Sequence, residues 1–416
     1  MKITSKDRTI LRTLAEKQAA IASLPVQKER AAHWSRLNGL KKGRPMVWIN
    51  EIPWHEMDVN NELALQCEDE FCRTVEKKMR RTLYTWEHMP ADMVVEPKFY
   101  SPLVISDTGF GIQGDTAIAP SATIEGITSH EFHPQIKDES DIENIKFPRI
   151  SLDREASDRN YQALVECFGD ICAIEQVGIH HFWFAPWDEL VTWWGVQEAL
   201  TDLLMCPDLV HAAMDRLVTA HCERLRQWEE LDVLSSIDGN YRVGSGGLAY
   251  CDEIPGKEFD QDHVATADQW GCSAAQIFVS VSPEMHEEFA LQYERRWLER
   301  FGLTYYGCCE PLHDKIHILK TIPNLRKISI SPWADAEKAA ERIGADYVIS
   351  CKPNPAVFAE DAWNPVQAKK DLETVMEKLS GCIVEVIMKD ISTVRNEPQR
   401  LWEWAQIATD VAGKYS

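Results

Sequence analysis

From Ala275 onward, short apolar runs alternate with longer amphipathic segments, and that rhythm leaves few architectures open. The runs are AQIFVSV (275–281), LTYYGCC (303–309), LRKISIS (325–331), DYVISC (346–351) and CIVEVIM (382–388). Segments of helical character, spanning 283–301, 312–321, 334–343 and 365–379, separate each run from the next. Parallel neighbours need a crossover between them, and a helix supplies it, so strands and helices in this order predict a parallel sheet.

Four more strands are predicted upstream: PMVWINEIPW (45–54), a stretch within 94–105, HHFWFAP (180–186) and LSSID, which ends in Asp238. The total reaches eight or nine, which fits a (β/α)8 TIM barrel best and an open doubly wound sheet second. Residues 1–44 read as a helical extension, with Ile10, Leu11, Leu14, Ala19 and Leu24 at helical spacing and Pro25 ending the run. A helix is expected over 63–83. The barrel then spans 45–416, with a turn-rich insertion near 90–150. GSGG at 244–247 does not open a helix, so a dinucleotide fingerprint is absent.

Charge narrows the partners. With 44 Lys and Arg against 66 Asp and Glu, the net charge is −22. Nucleic acid and anionic membrane both need a basic surface, so a small-molecule substrate is expected instead. The N-terminal charges are not followed by the apolar core of a signal peptide, and no apolar run approaches the ~20 residues of a membrane helix. The 12 cysteines are scattered, as in a cytoplasmic protein that keeps its thiols reduced.

Barrel enzymes place their chemistry at the C-terminal ends of the strands. Here those ends carry Glu51, Trp54 and His55, then His180, His181 and Asp188, then Asp238, then Ser280 and Ser282. Cys308, Cys309 and Glu310 follow, then Ser331 and Trp333, Cys351 and Lys352, and Lys389 and Asp390. Cys309 and Cys351, with Glu310, Glu284 or Asp238 as a carboxylate, make a donor set that suits a zinc ion with one open position. A thiol nucleophile activated by His180, His181 or His313 is the rival chemistry. Only one of His180 and His181 can face the mouth, because successive strand residues alternate. Asp238 is a candidate base or substrate anchor, and Lys352 a candidate anion contact or ion-pair partner. Asp390 is expected to cap the last helix with Ser392, and Cys308 to pack behind Cys309.

The helix leading into RPMVWI, together with FGLTYYGCCE, ISISPWAD, YVISCKPNPA and IMKDIST, resembles the uroporphyrinogen decarboxylase superfamily. More narrowly, it resembles the methyltransferase-like branch of that superfamily. The arginine-rich R-Q-A-G-R-Y segment of the porphyrinogen decarboxylases is replaced here by NEIPWHEM (50–57), so that substrate is not implied. The resemblance implies a barrel with N-terminal helices and a corrinoid-dependent methyltransferase, the component that carries out O-demethylation. It further implies zinc on Cys309, Cys351 and Glu310, acting as a Lewis acid on the donor oxygen. The methyl group would pass to cobalt in a corrinoid (cobalamin) on a separate partner protein. Trp54, His180, Trp183 and Trp333 would hold a methoxylated ring, and Asp238, His181 and Lys352 would assist catalysis. Gly307 stands where an H-x-C form of the zinc motif would need histidine. Oligomeric state is open, with a homodimer allowed. The alternatives are a metal-free decarboxylase or lyase using Asp238 and Lys352, and a non-catalytic corrinoid- or tetrapyrrole-binding protein.

Overall fold

The structure is a computed structural model and describes residues 3–124 and 127–415. The strands that position the site are numbered along the chain: β1 (Met46–Ile49), β2 (Lys98–Pro102), β3 (Ala173–Val177), β4 (Trp270–Ser273), β5 (Leu303–Tyr306), β6 (Leu325–Ile330), β7 (Val348–Cys351) and β8 (Ile383–Met388). Six of them form one parallel sheet in the order β1-β8-β7-β6-β5-β4, while β2 and β3 pair in parallel by themselves. Helices at Gln292–Leu298, Ile316–Leu319, Ala336–Ile343 and Pro365–Lys378 make the crossovers, and the last helix, Gln399–Ala412, returns to pack on β1. The fold is therefore mixed α/β around a parallel sheet, as the alternating pattern predicts.

The expected ring of eight hydrogen-bonded strands does not close, and side chains fill the gaps. Beside β1, Asp92 stands where a neighbouring strand would. Its amide donates to the Val47 carbonyl at 3.1 Å, and its carboxylate accepts from the Val47 amide at 2.7 Å. Arg44 holds that carboxylate in a two-pronged pair at 2.9 and 2.5 Å. Past β3, the segment expected as a strand at 180–186 is not one, and the only ladder contact of the 234–238 segment among the described residues is a parallel bridge from Leu234 to Ile179. The Gln269 side-chain amide spans that point, donating to the carbonyls of Ile179 and Ser235 at 2.8 and 2.9 Å.

Other expectations shift in detail. AQIFVSV is not a strand; β4 lies just before it, and the Ala275 amide leaves the sheet for the buried Glu310 carboxylate at 3.3 Å. The helix expected over 63–83 is Glu70–His88. Pro25 opens a second helix, Pro25–Asn38, after Ser5–Ala22, since proline suits a first helical position. Within 90–153, Val104–Asp107 pairs antiparallel with Ile150–Asp153, and Thr116–Ile124 with Ile127–Phe132. All 12 cysteines are unpaired. Among the described residues no helix is long and apolar enough to cross a membrane.

Strand alternation splits the sheet into two faces. Ile328, Ile330, Ile349, Cys351, Val384 and Val386 lie in the main apolar core with the helices. The opposite face is polar, and at its centre Lys327 and Glu385 pair at 2.8 Å with no exposed surface on either side chain. The GSGG loop is laid against this face, where the Gly247 amide donates to Glu385 Oε1 at 3.1 Å. A Cβ on Gly247 would come within 2.4 Å of the Trp34 ring, and one on Gly246 within 2.5 Å of Glu385 Oε1. Close approach of backbone to packed side chains, and not phosphate binding, is therefore what these glycines serve. Gly247→Ala is expected to destabilise the fold by ~1–3 kcal/mol through overpacking, seen as a lower Tm; an unchanged Tm would show that Trp34 has room to retreat.

Candidate functional site

The site begins where β5 ends. Gly307 turns the chain with a φ of +99°, and a Cβ there would lie 2.4 Å from Leu312 and 2.9 Å from Ser329. The fold thus excludes a histidine at this position, and the turn swings Cys308 and Cys309 over the strand ends. Glu310 goes the other way. It is fully buried, and its carboxylate accepts from the amides of Cys308 at 2.9 Å and Ala275 at 3.3 Å, so it braces the turn.

Lys389 and Asp390 arrive from the end of β8, and Glu51 from the end of β1. Lys389 Nζ donates to Cys308 Sγ at 3.1 Å and lies 3.9 Å from Cys309 Sγ, 2.9 Å from Asp390 and 3.7 Å from Glu51. The Cys309 thiol donates to Asp390 Oδ2 at 3.3 Å, and the two sulfurs stand 3.5 Å apart. The Asp390 amide donates to Glu51, which also pairs with Arg242 at 2.8 Å. Asp390 and Glu51 both adopt left-handed backbone, with φ of +56° and +51°. Non-glycine residues carry a cost there and tend to cluster at functional sites. Asp390 thus faces the site and is not a helix cap; the last helix starts at Gln399, behind Pro398.

These contacts set the thiols apart. The adjacent Cys309 sulfur, then the charges of Lys389 and Lys352, lower the Cys308 thiol to about 7 despite its burial. Cys309 moves up, through its bond to Cys308 and then burial. Burial opposes the charge on Lys389, but Cys308, Asp390 and Glu51 outweigh it and raise its pKa. Cys308 is thus the thiol of the pair that ionises more readily, with a cation in contact, which is the environment of a reactive cysteine.

Behind it lies Lys352, only 4% exposed. Its ammonium donates to Tyr305 Oη at 2.7 Å and Ser329 Oγ at 2.8 Å, and lies 3.2 Å from Ser350 Oγ. Among the described residues no carboxylate pairs with it. A cavity of about 330 Å³ opens above, lined by Cys308, Cys309, Trp333, Lys352, Lys389 and Asp390. Trp333 stands at its rim, 66% exposed. A larger cavity of about 580 Å³, between the first helix and Glu70–His88, is lined by no thiol or histidine.

The remaining expected site residues do not meet here. Cys351 shares the apolar face with Ile349, and burial pushes its thiol up to about 12. Cys309, Cys351 and Glu310 therefore do not converge as a ligand set, because strand parity sends Cys351 under the helices and Glu310 is turned to backbone amides. Among the described residues no three or more His, Cys, Asp or Glu side chains are grouped to hold a metal. His181 has both ring nitrogens engaged: Nδ1 lies 3.1 Å from the Trp270 carbonyl, and Nε2 accepts from the Gly244 amide at 2.9 Å. Burial lowers it to about 4, so it serves as a neutral brace. His180 rests edge-on against Tyr241 at 5.0 Å. Trp54 packs against Tyr84 and beneath Arg81, and Trp183 packs in the cluster of Trp270 and Tyr305. Asp238 pairs with Lys98 at 2.7 Å and lines a separate cleft with Trp270. Lys98 and Trp270 are the first residues of β2 and β4, so Asp238 lies at the opposite strand ends from Cys308.

Of the expected residues, Cys309, Lys352 and Trp333 line one cavity. Cys308, Lys389 and Asp390 complete it, and Glu51 holds Lys389 and Asp390 from behind. Their only sequence signal is that each sits just past a strand.

No protein-family model matches the chain, and no curated protein matches its sequence. Among solved structures it is similar to a methyltransferase from Methanosarcina mazei, with a TM-score of 0.52 at 13% identity, covering 93% of this chain and 99% of that one. The chain thus shares the fold of that methyltransferase along nearly the whole length of both.

Proposed function

We propose that this protein is a methyltransferase. It binds a small methylated donor in the cavity over Cys308 and Lys389 and gives the methyl group to the cobalt of a corrinoid carried by a partner protein. The observation that supports this most is an activated thiol–lysine cavity at the C-terminal strand ends of a fold shared with a methyltransferase. The barrel reading is proposed with it: a ring would need β2, β3 and the segments at the Ile179–Leu234 bridge to stand between β1 and β4.

Zinc does not fit this donor set. The thiols and carboxylates that could surround it already surround the Lys389 ammonium, at 3.1 Å from Cys308 and 2.9 Å from Asp390, and Cys351 and Glu310 face elsewhere. No step is therefore assigned to zinc. The corrinoid, when bound, supplies a nucleophilic cobalt that takes the methyl group. The chain's residues handle the other half of the displacement, in which the electron pair of the broken bond stays on the donor's heteroatom. Lys389, whose raised pKa keeps its ammonium charged, is placed to neutralise that atom, and Lys352 adds a second positive charge below. A low-dielectric cavity makes both more effective than they are in water. Trp333 offers a flat apolar wall at the entrance. At about 330 Å³ the cavity is at the small end of ligand sites, too small to enclose a tetrapyrrole. The alternative lyase pairing of Asp238 with Lys352 does not form, since the two lie at opposite strand ends.

The test mixes the protein with a reduced corrinoid protein and a panel of methoxylated aromatics, methylamines and methyl sulfides, and follows the absorbance change of methylated cobalt. Wild type is expected to turn over at least one class, and Lys389→Met to slow it by ~10²–10³-fold, the usual scale for one lost group that stabilises developing negative charge. A wild type that methylates cobalt from none of them would sink the proposal.

A further inference from the structure

We infer that a second ligand site, for a phosphate-bearing anion, lies at the N-terminal ends of β1 and β8, where His33, Arg36, Lys41 and Arg44 close around a cavity. This does not rest on methyl transfer. In a chain of net charge −22, the stretch 30–44 holds Arg30, Arg36, Lys41, Lys42 and Arg44 and no Asp or Glu. The chain folds those cations together: the helix Pro25–Asn38 ends at Gly39, and the following turn brings Lys41 and Arg44 back beside it. The cavity, about 310 Å³, is walled by His33, Arg36, Leu37, Lys41 and Arg44, with Ile383 and Val384 of β8 as its floor.

No carboxylate lines it. Arg44 is committed to Asp92, but Arg36 uses only Nε, donating to the Lys42 carbonyl at 2.7 Å. Among the described residues its terminal nitrogens and Lys41 Nζ have no acidic partner, and His33 Nδ1 is buried without any partner. The helix dipole explains a cation in the last turn, at Arg36. It does not explain Lys41 and Arg44, which lie past the helix end. A guanidinium fork beside an ammonium matches the geometry and charge of a phosphate group. Nucleic acid and anionic bilayers are repelled by the acidic remainder of the surface, and a cavity this size admits a single small anion.

Inorganic pyrophosphate is the probe, with citrate as the carboxylate comparison, in calorimetric titrations of the full chain at low and high NaCl. Saturable pyrophosphate binding that weakens with salt is expected for wild type. The exposed double variant Arg36→Gln/Lys41→Gln is expected to lose at least tenfold in affinity with an unchanged Tm, while Lys17→Gln/Lys28→Gln binds as wild type does. His33→Phe, read the same way, is expected to weaken binding too. No saturable binding to wild type, or equal affinity in the Arg36/Lys41 variant, overturns the site. Citrate binding as tightly as pyrophosphate overturns its assignment to phosphate.

Discussion

Lys327→Met is expected to cost about 3–5 kcal/mol, the usual penalty for breaking a buried ion pair by removing one partner. Lys327 and Glu385 meet at 2.8 Å with no exposed surface, and the ammonium also lies over the Trp34 and Trp270 rings at 5.7 and 5.5 Å. Burial lowers the pKa of Lys327, against the pull of Glu385. Without the lysine, Glu385 keeps only the Gly247 amide and must either stay ionised away from water or take up a proton. Against the ~5–15 kcal/mol that stabilises an ordinary domain, this is a large fraction. Lys327→Met/Glu385→Leu removes both charges and is expected to recover most of the loss, because an isolated buried charge costs more than a missing pair. Urea unfolding of the wild type, both single variants and the double variant measures the coupling. A double variant no more stable than Lys327→Met would mean that the lysine acts through its packing on the two indoles.

The second large effect is on reactivity. Cys309 and the charges of Lys389 and Lys352 hold the Cys308 thiol below the ordinary cysteine range, so it ionises more readily than a free thiol. Lys389→Met removes the contacting cation, and the sign follows directly. Losing positive charge disfavours the thiolate, so the pKa rises and the thiolate fraction at pH 7 falls. The thiol moves back toward its ordinary value of ~8.5–9, and reaction with iodoacetamide at pH 7 slows severalfold. Mass mapping of the alkylated peptide over a pH series distinguishes Cys308 from Cys309. The wild-type rate is expected to rise through pH 7, and the variant rate to rise later. A Lys389→Met profile that overlays the wild type would show that Cys309 alone sets the reactivity of its neighbour.

Parts of the site were legible in the residues. Ile349 and Cys351 are two apart, as are Ser350 and Lys352, so strand parity alone places cysteine and lysine on opposite faces. With Ile349 beneath the helices, Lys352 is the residue that turns to the polar side, and a metal shared by Cys309 and Cys351 already strains that pattern. Gly307 was legible in part: glycine between a strand and two thiols signals a tight turn, but not that Leu312 and Ser329 crowd it. The roles of His181 and Asp238 were not legible. A histidine in an aromatic stretch reads equally as ligand or brace, and only the Trp270 carbonyl and the Gly244 amide decide. LSSID looks like a strand and so predicts Asp238 at a strand end, yet that segment keeps one bridge and then turns away to Lys98.

The sequence by itself determined the alternation of strands and helices after residue 300, a helical extension at the start, and the residues that end the strands after residue 300. Periodicity and burial are local properties, carried by side chains a few positions apart. Only the tertiary structure decided which strand ends meet. Cys309 and Asp390 are 81 positions apart, and Asp390 and Glu51 are 339 apart. Their contacts exist because β1, β8 and β5 lie in one sheet in that spatial order, with β7 and β6 between the last two. Sheet order is fixed by the burial of the whole apolar face and by close packing of inserts such as the GSGG loop, and no local pattern records it.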